Sequence, residues 1–547
     1  MSRRAGLRHG AGPGSPIQVS SAPSPDVAFG AFSDHGPWQV DPGSMPWRTG
    51  VDALRAQAQA EVPELVRRRF LPPLRRFGEA ATLLGLALAG WQLRERRTGG
   101  AVSRAGLSRR LRMAFERLGP AYIKLGQIVS SGQGLFPPEL VDEFKRCRDQ
   151  VPAEPFPVVR RVVEEDLGAP LERTFDSFIE TPIAAASIAQ VHAARLRGGE
   201  EVVVKVQRPQ VARLVRRDIE AMAWIAPLLV GRIPVAALAN PPALVELFAE
   251  TIVEELDFRL EAQNMLDVAH LLREAGQTII VVPRPHPELV TPRVLVMERL
   301  DGFKYEDVEG MRGAGVDTGE LVRALLIAFL EGAMIYGVFH GDFHGGNLLV
   351  MPDGRVALFD YGITGRMSEP QRLAFLRMMI TGAVNDIRGQ LEAFRDLGAL
   401  PPGADLEALM QVLKLDQPVK DPTRMTGDEL VHEIQDLLKG LLKQGAKLPK
   451  NLMLYVKNMI FFDGATTRLA PEVNLFDQVT RIFGYFATHH SERILRDVGL
   501  DPRLLTLDLG GFKRSLGVDE TTASLTQREL VERRQRVQER LEEAGGT

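Results

Sequence analysis

The sequence predicts an α+β fold with two lobes and a helical extension in front of them. Three patterns predict it: two β-rich runs joined by a glycine turn at 183–206, amphipathic helical runs on either side, and a loop followed by a hairpin at 339–362. An apolar period of two indicates strands, and a period near 3.6 indicates helices. The predicted divisions are a disordered tail at 1–50, the helical extension at 51–178, a β-rich lobe at 179–300, a mostly helical lobe at 301–500 and a C-terminal tail at 501–547.

The composition is that of an ordinary globular protein. The chain has 547 residues, of which 45% are hydrophobic and 25% are charged, and its formal net charge is -3. We expect no nucleic-acid partner, because binding nucleic acid requires a strongly basic face. The single cysteine, Cys147, excludes an internal disulfide and favours a reducing compartment, so we expect a cytoplasmic protein. No run reaches the roughly 18 apolar residues that a membrane-spanning helix requires.

The extension combines an apolar helical run with basic flanks. Residues 1–50 are rich in Gly, Pro and Ser, so we expect them to stay disordered. From 51 to 98 the pattern is helical, with an apolar run from Leu83 to Trp91. The flanking arginines are Arg67, Arg68, Arg69, Arg75, Arg76, Arg94, Arg96 and Arg97. Two interpretations stay open: the helix lies in an anionic membrane surface, or it packs on the protein while its arginines face solvent.

The β-rich lobe begins with an alanine-rich hairpin and carries a lysine on its next strand. In protein kinases a glycine-rich loop covers the ATP phosphates, and a following strand supplies a lysine that contacts them. Here alanines stand in place of the glycines, and Lys205 lies on the strand 202–206. Because a Cβ disfavours positive φ, we expect a stiffer loop. The nucleotide-contacting residues predicted from this hairpin are Ala184, Ala185, Ala186, Ser187, Ala189, Val191 and Lys205.

A long helical segment at 241–275 carries several glutamates. Glu255 and Glu261 are six residues apart, so on one continuous helix they face different sides. Two glutamates on different faces can pair with two different lysines. The next segment, 294–302, is predicted to be a strand that leads into a connector between the lobes. We expect Glu298 of this strand to lie at the edge that receives an adenine ring.

The stretch at 339–362 carries the groups that phosphoryl transfer requires. Asp342 precedes Asn347 in a glycine-rich loop, and Asp360 follows the predicted hairpin. This order matches the kinase pattern, in which one Asp lies near the attacking oxygen while an Asn and a second Asp bind magnesium. The chain lacks the long polar loop and the Ala-Pro-Glu triplet that position peptide substrates in protein kinases.

Taken together, six motifs in this order resemble the UbiB/AarF family of atypical kinase-like proteins. They are KLGQ at 124–127, AAASIAQVH at 184–192, VVVKVQRP at 202–209, EELDFRLEAQN at 254–264, HGDFHGGN at 340–347 and DYG at 360–362. The resemblance covers about 105–380 and implies a two-lobed protein-kinase-like fold with an N-terminal helical extension and a helix-rich C-terminal lobe. One departure is that HGDFHGGN lacks the proline of the family motif.

The resemblance also implies roles for seven side chains. They are two ion pairs, Lys205 with Glu261 and Lys124 with Glu255, a catalytic aspartate, Asp342, and two magnesium ligands, Asn347 and Asp360. The implied function is that of an ATP- and Mg²⁺-dependent atypical kinase or ATPase that supports isoprenoid quinone biosynthesis, of the ubiquinone type, or other prenyl-lipid metabolism. The implied partners are ATP, a prenyl-lipid or quinone precursor and an anionic membrane surface, to which the protein would attach peripherally.

Two other functions stay open, and one metal site is disfavoured. The protein could be a nucleotide-switched binding protein without turnover, or a conventional Ser/Thr protein kinase, although the alanine-rich loop disfavours the latter. His340 and His344 flank Asp342. A histidine-bound metal is disfavoured there, because no third ligand at a zinc-like spacing is present.

Overall fold

The computed structural model describes residues 32–33, 36–68, 70–130, 137–147, 152–229, 241–412, 446, 449–503 and 505–545. The first 31 residues of the predicted tail and Arg69 lie outside the described residues. The helices are α1 Val51–Val66, α2 Leu74–Arg94, α3 Gly100–Leu118, α4 Pro120–Ser130, α5 Pro138–Lys145, α6 Phe156–Leu167, α7 Leu171–Thr174, α8 Val211–Leu229, α9 Pro241–Ile252, α10 Phe258–Glu274, α11 Val308–Gly313, α12 Thr318–Glu331, α13 Glu369–Ala383, α14 Ile387–Asp396, α15 Leu406–Val412, α16 Lys450–Leu469, α17 Leu475–His489, α18 Ser491–Val498, α19 Leu509–Ser515 and α20 Gln527–Gly545.

The strands form three sheets, and the predicted α+β class is confirmed. They are β1 Phe175–Phe178, β2 Ala184–Ala185, β3 Ala189–Leu196, β4 Glu201–Gln207, β5 Ile280–Val281, β6 Pro285–Val290, β7 Val294–Glu298, β8 Phe303–Lys304, β9 Val338–His340, β10 Leu348–Val350, β11 Val356–Leu358 and β12 Thr364–Arg366. The first sheet has the order β1-β3-β4-β7-β6, with β2 added beside β3. The second has the order β5-β11-β10-β8, and the third pairs β12 with β9.

The large antiparallel sheet places a lysine and a hydrophobic layer on opposite faces of one strand. Val202, Val204 and Val206 of β4 share a buried cluster with Val163 of α6. Successive side chains of a strand point to opposite faces, so Lys205 points away from this cluster. The sequence divisions assign α6 to the helical extension, whereas the structure packs it on the sheet of the N-terminal lobe.

The extension is a group of helices that docks on the N-terminal lobe. Leu107, Ile123 and Phe144 belong to a buried cluster shared by α3, α4 and α5. At the junction with α8, the Arg76 Nε of α2 donates to Asp218 Oδ1 at 2.5 Å. α2 packs on both α3 and α8, and α1 packs on α9. The extension therefore packs on the same two helices, α8 and α9, that follow β4 in the chain.

The predicted tail at 1–50 is wrong over its last part. The segment from residue 36 onward contains two 3₁₀ helices, Pro42–Ser44 and Pro46–Arg48. Trp47 is buried, and its indole Nε1 donates to the His286 carbonyl oxygen at 3.2 Å. A buried indole removes a large apolar area from water. That gain is invisible in a composition dominated by Gly, Pro and Ser.

The single long helix predicted at 241–275 is also wrong. The chain forms α9, then a 3₁₀ turn at Glu254–Leu256, and then α10. Asp257 ends the turn in an extended conformation and caps α10 by accepting from Arg259 N at 3.1 Å. Glu255 and Glu261 therefore lie on different elements, and their separation comes from this break and not from the helical period.

The C-terminal lobe is mostly helical, as expected. α12 passes into a π turn at Gly332–Tyr336, and Phe339 lies in β9. Val518, Leu525 and Leu530 pack in one cluster with Phe476 of α17, so the predicted C-terminal tail contributes to the packing.

None of the helices in the described part of the chain has the length and apolar character that crossing a bilayer requires.

Candidate functional site

One lysine of the N-terminal lobe contacts carboxylates from two other elements. Lys205 Nζ of β4 donates to Glu261 Oε1 at 2.8 Å and to Oε2 at 2.9 Å, and it donates to Asp360 Oδ1 at 3.1 Å. Glu261 lies in the first turn of α10. Asp360 lies after the β10–β11 hairpin of the C-terminal lobe. Lys205 therefore joins the two lobes through a shared ion-pair cluster.

Both members of the Lys205–Glu261 pair are buried, and the charges around them control their protonation. Burial alone would lower the pKa of Lys205, but Asp360 and Glu261 outweigh it and hold that pKa above its usual range. Burial raises the pKa of Glu261, and the Lys205 ammonium opposes this rise. Because the ammonium donates to both carboxylate oxygens, we assign the pair as ionised.

A second ion pair connects the extension to the same site. Lys124 Nζ of α4 donates to Glu255 Oε2 at 3.1 Å. Gly126 allows α4 to approach α5, since a Cβ at this position would lie 2.6 Å from the Phe144 ring. Burial would lower the pKa of Lys124, but Glu255 and the more distant carboxylates of the site raise it above its usual range. The second oxygen of Glu255, Oε1, is buried and accepts no hydrogen bond from the described residues.

Asp342 is held by a residue that the sequence analysis missed. Lys457 Nζ of α16 donates to Asp342 Oδ1 at 2.5 Å. Burial would raise the pKa of Asp342, but Lys457, with His344 and Lys124, keeps it well below its usual range. Asp342 is therefore ionised at any physiological pH.

The loop around Asp342 is fixed by hydrogen bonds to the backbone. His340 Nε2 donates to the Asp360 carbonyl oxygen at 3.0 Å, and His340 Nδ1 accepts from Asp342 N at 3.2 Å. Burial lowers the pKa of His340, in agreement with a neutral ring. His340 therefore links the backbone amide of Asp342 to the backbone carbonyl oxygen of Asp360.

The hairpin brings Asn347 and Asp360 to its open end. Leu348 pairs with Leu358, and Phe359 N donates to the Asn347 carbonyl oxygen at 2.8 Å. Asn347 Nδ2 donates to the backbone oxygen of Asp342 at 3.1 Å, which leaves the side-chain oxygen of Asn347 for another partner. Asp360 has a positive φ of 57° and a side chain that is 43% exposed. Partial burial would raise the pKa of Asp360, but the neighbouring lysines lower it to about 2.

The residue after Asp360 is held from the N-terminal lobe and the extension. Asn264 Nδ2 of α10 donates to the Tyr361 carbonyl oxygen at 2.8 Å. The side-chain oxygen of Asn264 accepts from two guanidinium groups, Arg55 Nη2 of α1 and Arg366 Nη2, each at 2.8 Å. α1, α10 and the segment that carries Asp360 therefore share one hydrogen-bond network.

The alanine-rich hairpin forms a tight turn on the same sheet as Lys205. Ala186 N donates to the Ala189 carbonyl oxygen at 2.8 Å. The carbonyl oxygen of Ala186 accepts from the buried Arg208 Nε at 3.0 Å, and Val191 lies opposite Lys205 on the neighbouring strand. Ala184 and Ala185 pair with β3. Ser187 and Ala189 are buried. The predicted nucleotide contacts of these residues stay predictions.

Glu298 lies at the end of β7, and both of its carboxylate oxygens accept hydrogen bonds from other residues of the chain. Ser33 Oγ donates to Glu298 Oε1, and Arg284 N donates to Oε2 at 3.3 Å. The side chain therefore bonds to the segment before α1 and to the chain at Arg284, which leads into β6. It does not join the Lys205 cluster.

The other predicted site residues meet in one place. Seven of them are connected by hydrogen bonds or by electrostatic interactions: Lys205, Glu261, Asp360, Lys124, Glu255, Asp342 and Asn347. Lys457 and its neighbour Asn458 were missed. A Lys-Asn dipeptide occurs at 450–451 and again at 457–458, two helical turns apart, and this repeat is the sequence signal that could have found them.

The chain is similar to known proteins over most of its length. A family model described as "ABC1 atypical kinase-like domain" matches residues 146–393. The uncharacterized protein Rv0647c of Mycobacterium tuberculosis is 35% identical over 429 residues, which cover 74% of this chain and 84% of that protein.

Two further relatives carry kinase names. An uncharacterized aarF domain-containing protein kinase of Arabidopsis thaliana, described as chloroplastic, is 33% identical and is matched over 67% of this chain and 72% of its own length. A probable protein kinase UbiB of Aeromonas salmonicida is 30% identical, and the match covers 67% of this chain and 68% of that protein. The chain belongs to the UbiB/AarF family of atypical kinase-like proteins, the family of the ABC1 domain.

Proposed function

We propose that the protein binds ATP with Mg²⁺ between its lobes and transfers the terminal phosphoryl group, with water as the simplest acceptor. The observation that carries this proposal is the cluster in which Lys205 contacts both Glu261 of the N-terminal lobe and Asp360 of the C-terminal lobe. Phosphoryl transfer needs positive charge against the phosphates and oxygen ligands for magnesium at one place. This cluster supplies both.

The donor atoms of the site fit magnesium. Mg²⁺ prefers oxygen ligands and is usually bound by one or two carboxylates together with substrate phosphates. Asp360 and Asn347 offer a carboxylate and an amide oxygen at the open end of the hairpin. Glu255 Oε1, which is buried without a hydrogen-bond partner among the described residues, is a further oxygen acceptor. When bound there, the metal would supply positive charge that neutralises the phosphates.

The chain's own residues would bind the phosphates, orient the acceptor and cover the nucleotide. Lys205 would contact the phosphates, because its ammonium is fixed by two carboxylates and stays protonated. Asp342 would accept a hydrogen bond from the attacking water and so orient it, because Lys457 keeps Asp342 ionised. The turn at 186–189, held by Arg208, would close over the nucleotide without the freedom of a glycine loop.

We further propose that this activity serves isoprenoid quinone biosynthesis or related prenyl-lipid metabolism at a membrane surface. The biosynthetic part rests on the resemblance to UbiB. The membrane part rests on α2, whose outward face presents Leu74, Leu86 and Leu93 at 73%, 62% and 84% exposure, beside Phe70 at 97%. Arg75, Arg94, Arg96 and Arg97 lie at the two ends of this face and would contact anionic headgroups. The other face of α2 is buried on α3 and α8, so a membrane would meet only the outward face.

ATP turnover with and without Mg²⁺ tests the enzymatic proposal. We expect magnesium-dependent phosphate release by the parent protein and none by Asp360→Ala. The proposal fails if Asp360→Ala hydrolyses ATP as fast as the parent. Nucleotide-dependent stabilisation without turnover would favour a nucleotide-switched binding protein, and strong phosphate transfer to an added protein would favour a protein kinase.

Two measurements test the lipid proposals. Phe70→Ser/Leu74→Ser should lose co-sedimentation with vesicles that contain an anionic phospholipid, whereas Leu495→Ser, an exposed leucine of α18, should sediment like the parent. Equal sedimentation of both variants would contradict the membrane surface. The quinone content of a strain that lacks the protein should fall, and an unchanged content would contradict the biosynthetic role.

A further inference from the structure

Helix α16 brings a cation from far along the chain to the catalytic loop of the proposed reaction, which is the loop at 340–347. Lys457 and Asp342 are 115 positions apart in sequence, and Lys457 Nζ lies 2.5 Å from Asp342 Oδ1. Lys457 belongs to none of the six motifs, and the matched family model ends at residue 393. Neither the sequence pattern nor the domain match therefore assigns it a role.

The position of Lys457 is set by its neighbour, Asn458. This asparagine is completely buried. Its Nδ2 donates to the His340 carbonyl oxygen at 2.6 Å, and its Oδ1 accepts from Phe343 N at 3.0 Å. These bonds hold the backbone on both sides of Asp342. The register between α16 and the catalytic loop is thus fixed at the residue next to Lys457.

A second asparagine fixes the same helix two turns earlier. Asn451 Nδ2 donates to the Arg366 carbonyl oxygen at 2.7 Å, and Asn451 Oδ1 accepts from Arg366 N at 3.2 Å. Arg366 ends β12, the strand that follows Asp360. α16 is therefore anchored on both sides of the site, and Lys457 is a fixed group between the anchors.

The catalytic loop needs a cation that it does not contain. Residues 340–347 include no lysine or arginine. Lys124 is paired with Glu255, and Lys205, which is paired with Glu261 and Asp360, approaches the site from the N-terminal lobe. The side chains of Lys457 and Asp342 keep 18% and 13% of their surface exposed, so this pair is open to solvent on one side. A phosphate brought to Asp342 would repel that carboxylate unless a positive charge lay beside it.

We propose that Lys457 binds the terminal phosphate of ATP, and that its ion pair with Asp342 holds it at the point where that phosphate is transferred. This inference rests on the proposed function. In the transfer, the acceptor oxygen bonds to the terminal phosphorus, the bond from phosphorus to the bridging oxygen breaks, and ADP leaves. The acceptor's proton passes to solvent. Lys457 forms no covalent bond and supplies positive charge that stabilises the transferring group.

The test compares Lys457→Met and Lys457→Arg with a matched control, Lys450→Met. Lys450 lies two turns earlier on α16. It donates to the Glu250 carbonyl oxygen at 2.9 Å and lies 3.8 Å from Glu254 Oε2, and neither partner is one of the site residues described above. Each protein is heated with Mg²⁺ and ADP and with Mg²⁺ and a non-hydrolysable ATP analogue. Steady-state turnover is measured in parallel.

We expect Lys457→Met to keep the thermal shift given by ADP and to lose the additional shift given by the ATP analogue. Its kcat should fall about 10²-fold, with a smaller change in the KM for ATP. Lys457→Arg should recover part of both effects, because it keeps the charge. Lys450→Met should match the parent.

The outcomes separate this inference from the proposed function. If the parent neither binds nor hydrolyses Mg²⁺-ATP, the proposed function fails and this inference fails with it. If the parent turns over and Lys457→Met keeps the same additional shift and kcat, only the role of Lys457 is overturned. If Lys457→Met does not fold, the kinetics of Lys457→Arg decide whether Lys457 has this role. A folded Lys457→Arg that keeps much of the parental kcat would show that a positive charge at this position supports turnover. A loss of kcat in Lys457→Arg as large as that expected of Met would overturn the inference.

Discussion

Lys205 donates hydrogen bonds to both carboxylate oxygens of Glu261, at 2.8 and 2.9 Å, and the same ammonium reaches Asp360 at 3.1 Å. One cation thus connects a strand, a helix of the same lobe and the segment of the other lobe that carries Asp360. Because both partners of the Lys205–Glu261 pair are buried, its energetics differ from those of a surface ion pair.

Removing one partner of this pair should cost more than removing both. We expect Lys205→Met to lower the free energy of unfolding by about 3–5 kcal/mol, because Glu261 would keep a buried charge without a cation. The double variant Lys205→Met/Glu261→Gln should recover a substantial part of that loss. Chemical denaturation of the parent, both single variants and the double variant gives the coupling energy. Additive single effects would contradict the buried pair.

At Asp360, asparagine and alanine should separate charge from backbone conformation. The residue has a φ of 57°, which asparagine adopts more readily than other non-glycine residues. Asp360→Asn should therefore lose magnesium-dependent nucleotide binding while folding stably. Asp360→Ala should lose the same binding and a further ~1 kcal/mol of stability, since its Cβ is strained in the left-handed region. Calorimetric titration with Mg²⁺-ATP and denaturation without ligand measure the two effects, and equal stability of the variants would contradict the strain.

Asn458→Ala should destabilise the protein and disorder the loop at 340–347. The substitution leaves the His340 carbonyl oxygen and the Phe343 amide without their partner in a buried site. We expect a loss of roughly 2–4 kcal/mol. Thr466→Ala on the same helix is the control, because Thr466 Oγ1 bonds to the Phe462 carbonyl oxygen within α16. Denaturation midpoints check the difference, which disappears if the loop does not depend on α16.

Stability should fall as the pH drops below 6.5, with His286 as one cause. Its Nδ1 accepts from the amides of Glu288 and Leu289, both at 3.0 Å, so protonation would break two hydrogen bonds. Burial lowers the pKa of His286 from 6.5 to about 4. The unfolded chain therefore binds more protons than the folded protein between these values, and stability is lost as the pH falls.

The size of this effect is about 2 kcal/mol after allowance for the partial exposure of the ring. His286→Asn keeps an acceptor for the two amides and cannot be protonated. Its melting temperature should fall less than that of the parent between pH 7 and pH 5. Parallel losses in the two proteins would exclude His286 as a cause.

The elements that could be predicted are those with a local pattern. The loop, the hairpin and Asp360 could be placed because turn residues and a period of two act over a few positions. The break between α9 and α10 had a local signal too, since Asp257 is a preferred N-cap residue, but the apolar period across it outweighed that signal.

The contacts that could not be predicted are the long-range ones. Trp47 packs against the chain at His286 from within a segment whose average composition indicates disorder. Lys457 and Asn458 lie in a helix outside the six motifs. The repeated Lys-Asn spacing indicates that they share one face of this helix, but it does not indicate which element packs against that face. Which surface of the protein covers such a face depends on the assembled core.

The placement of α16 has a consequence for how the protein is made. The ribosome adds about 5–20 residues each second, so Lys457 follows Asp342 by on the order of ten seconds. During that interval the loop lacks the lysine and the two bonds from Asn458 that fix it. The loop at 340–347 therefore lacks these contacts until most of the chain has been synthesised. The segment that matches the family model, 146–393, ends before α16, the helix that supplies them.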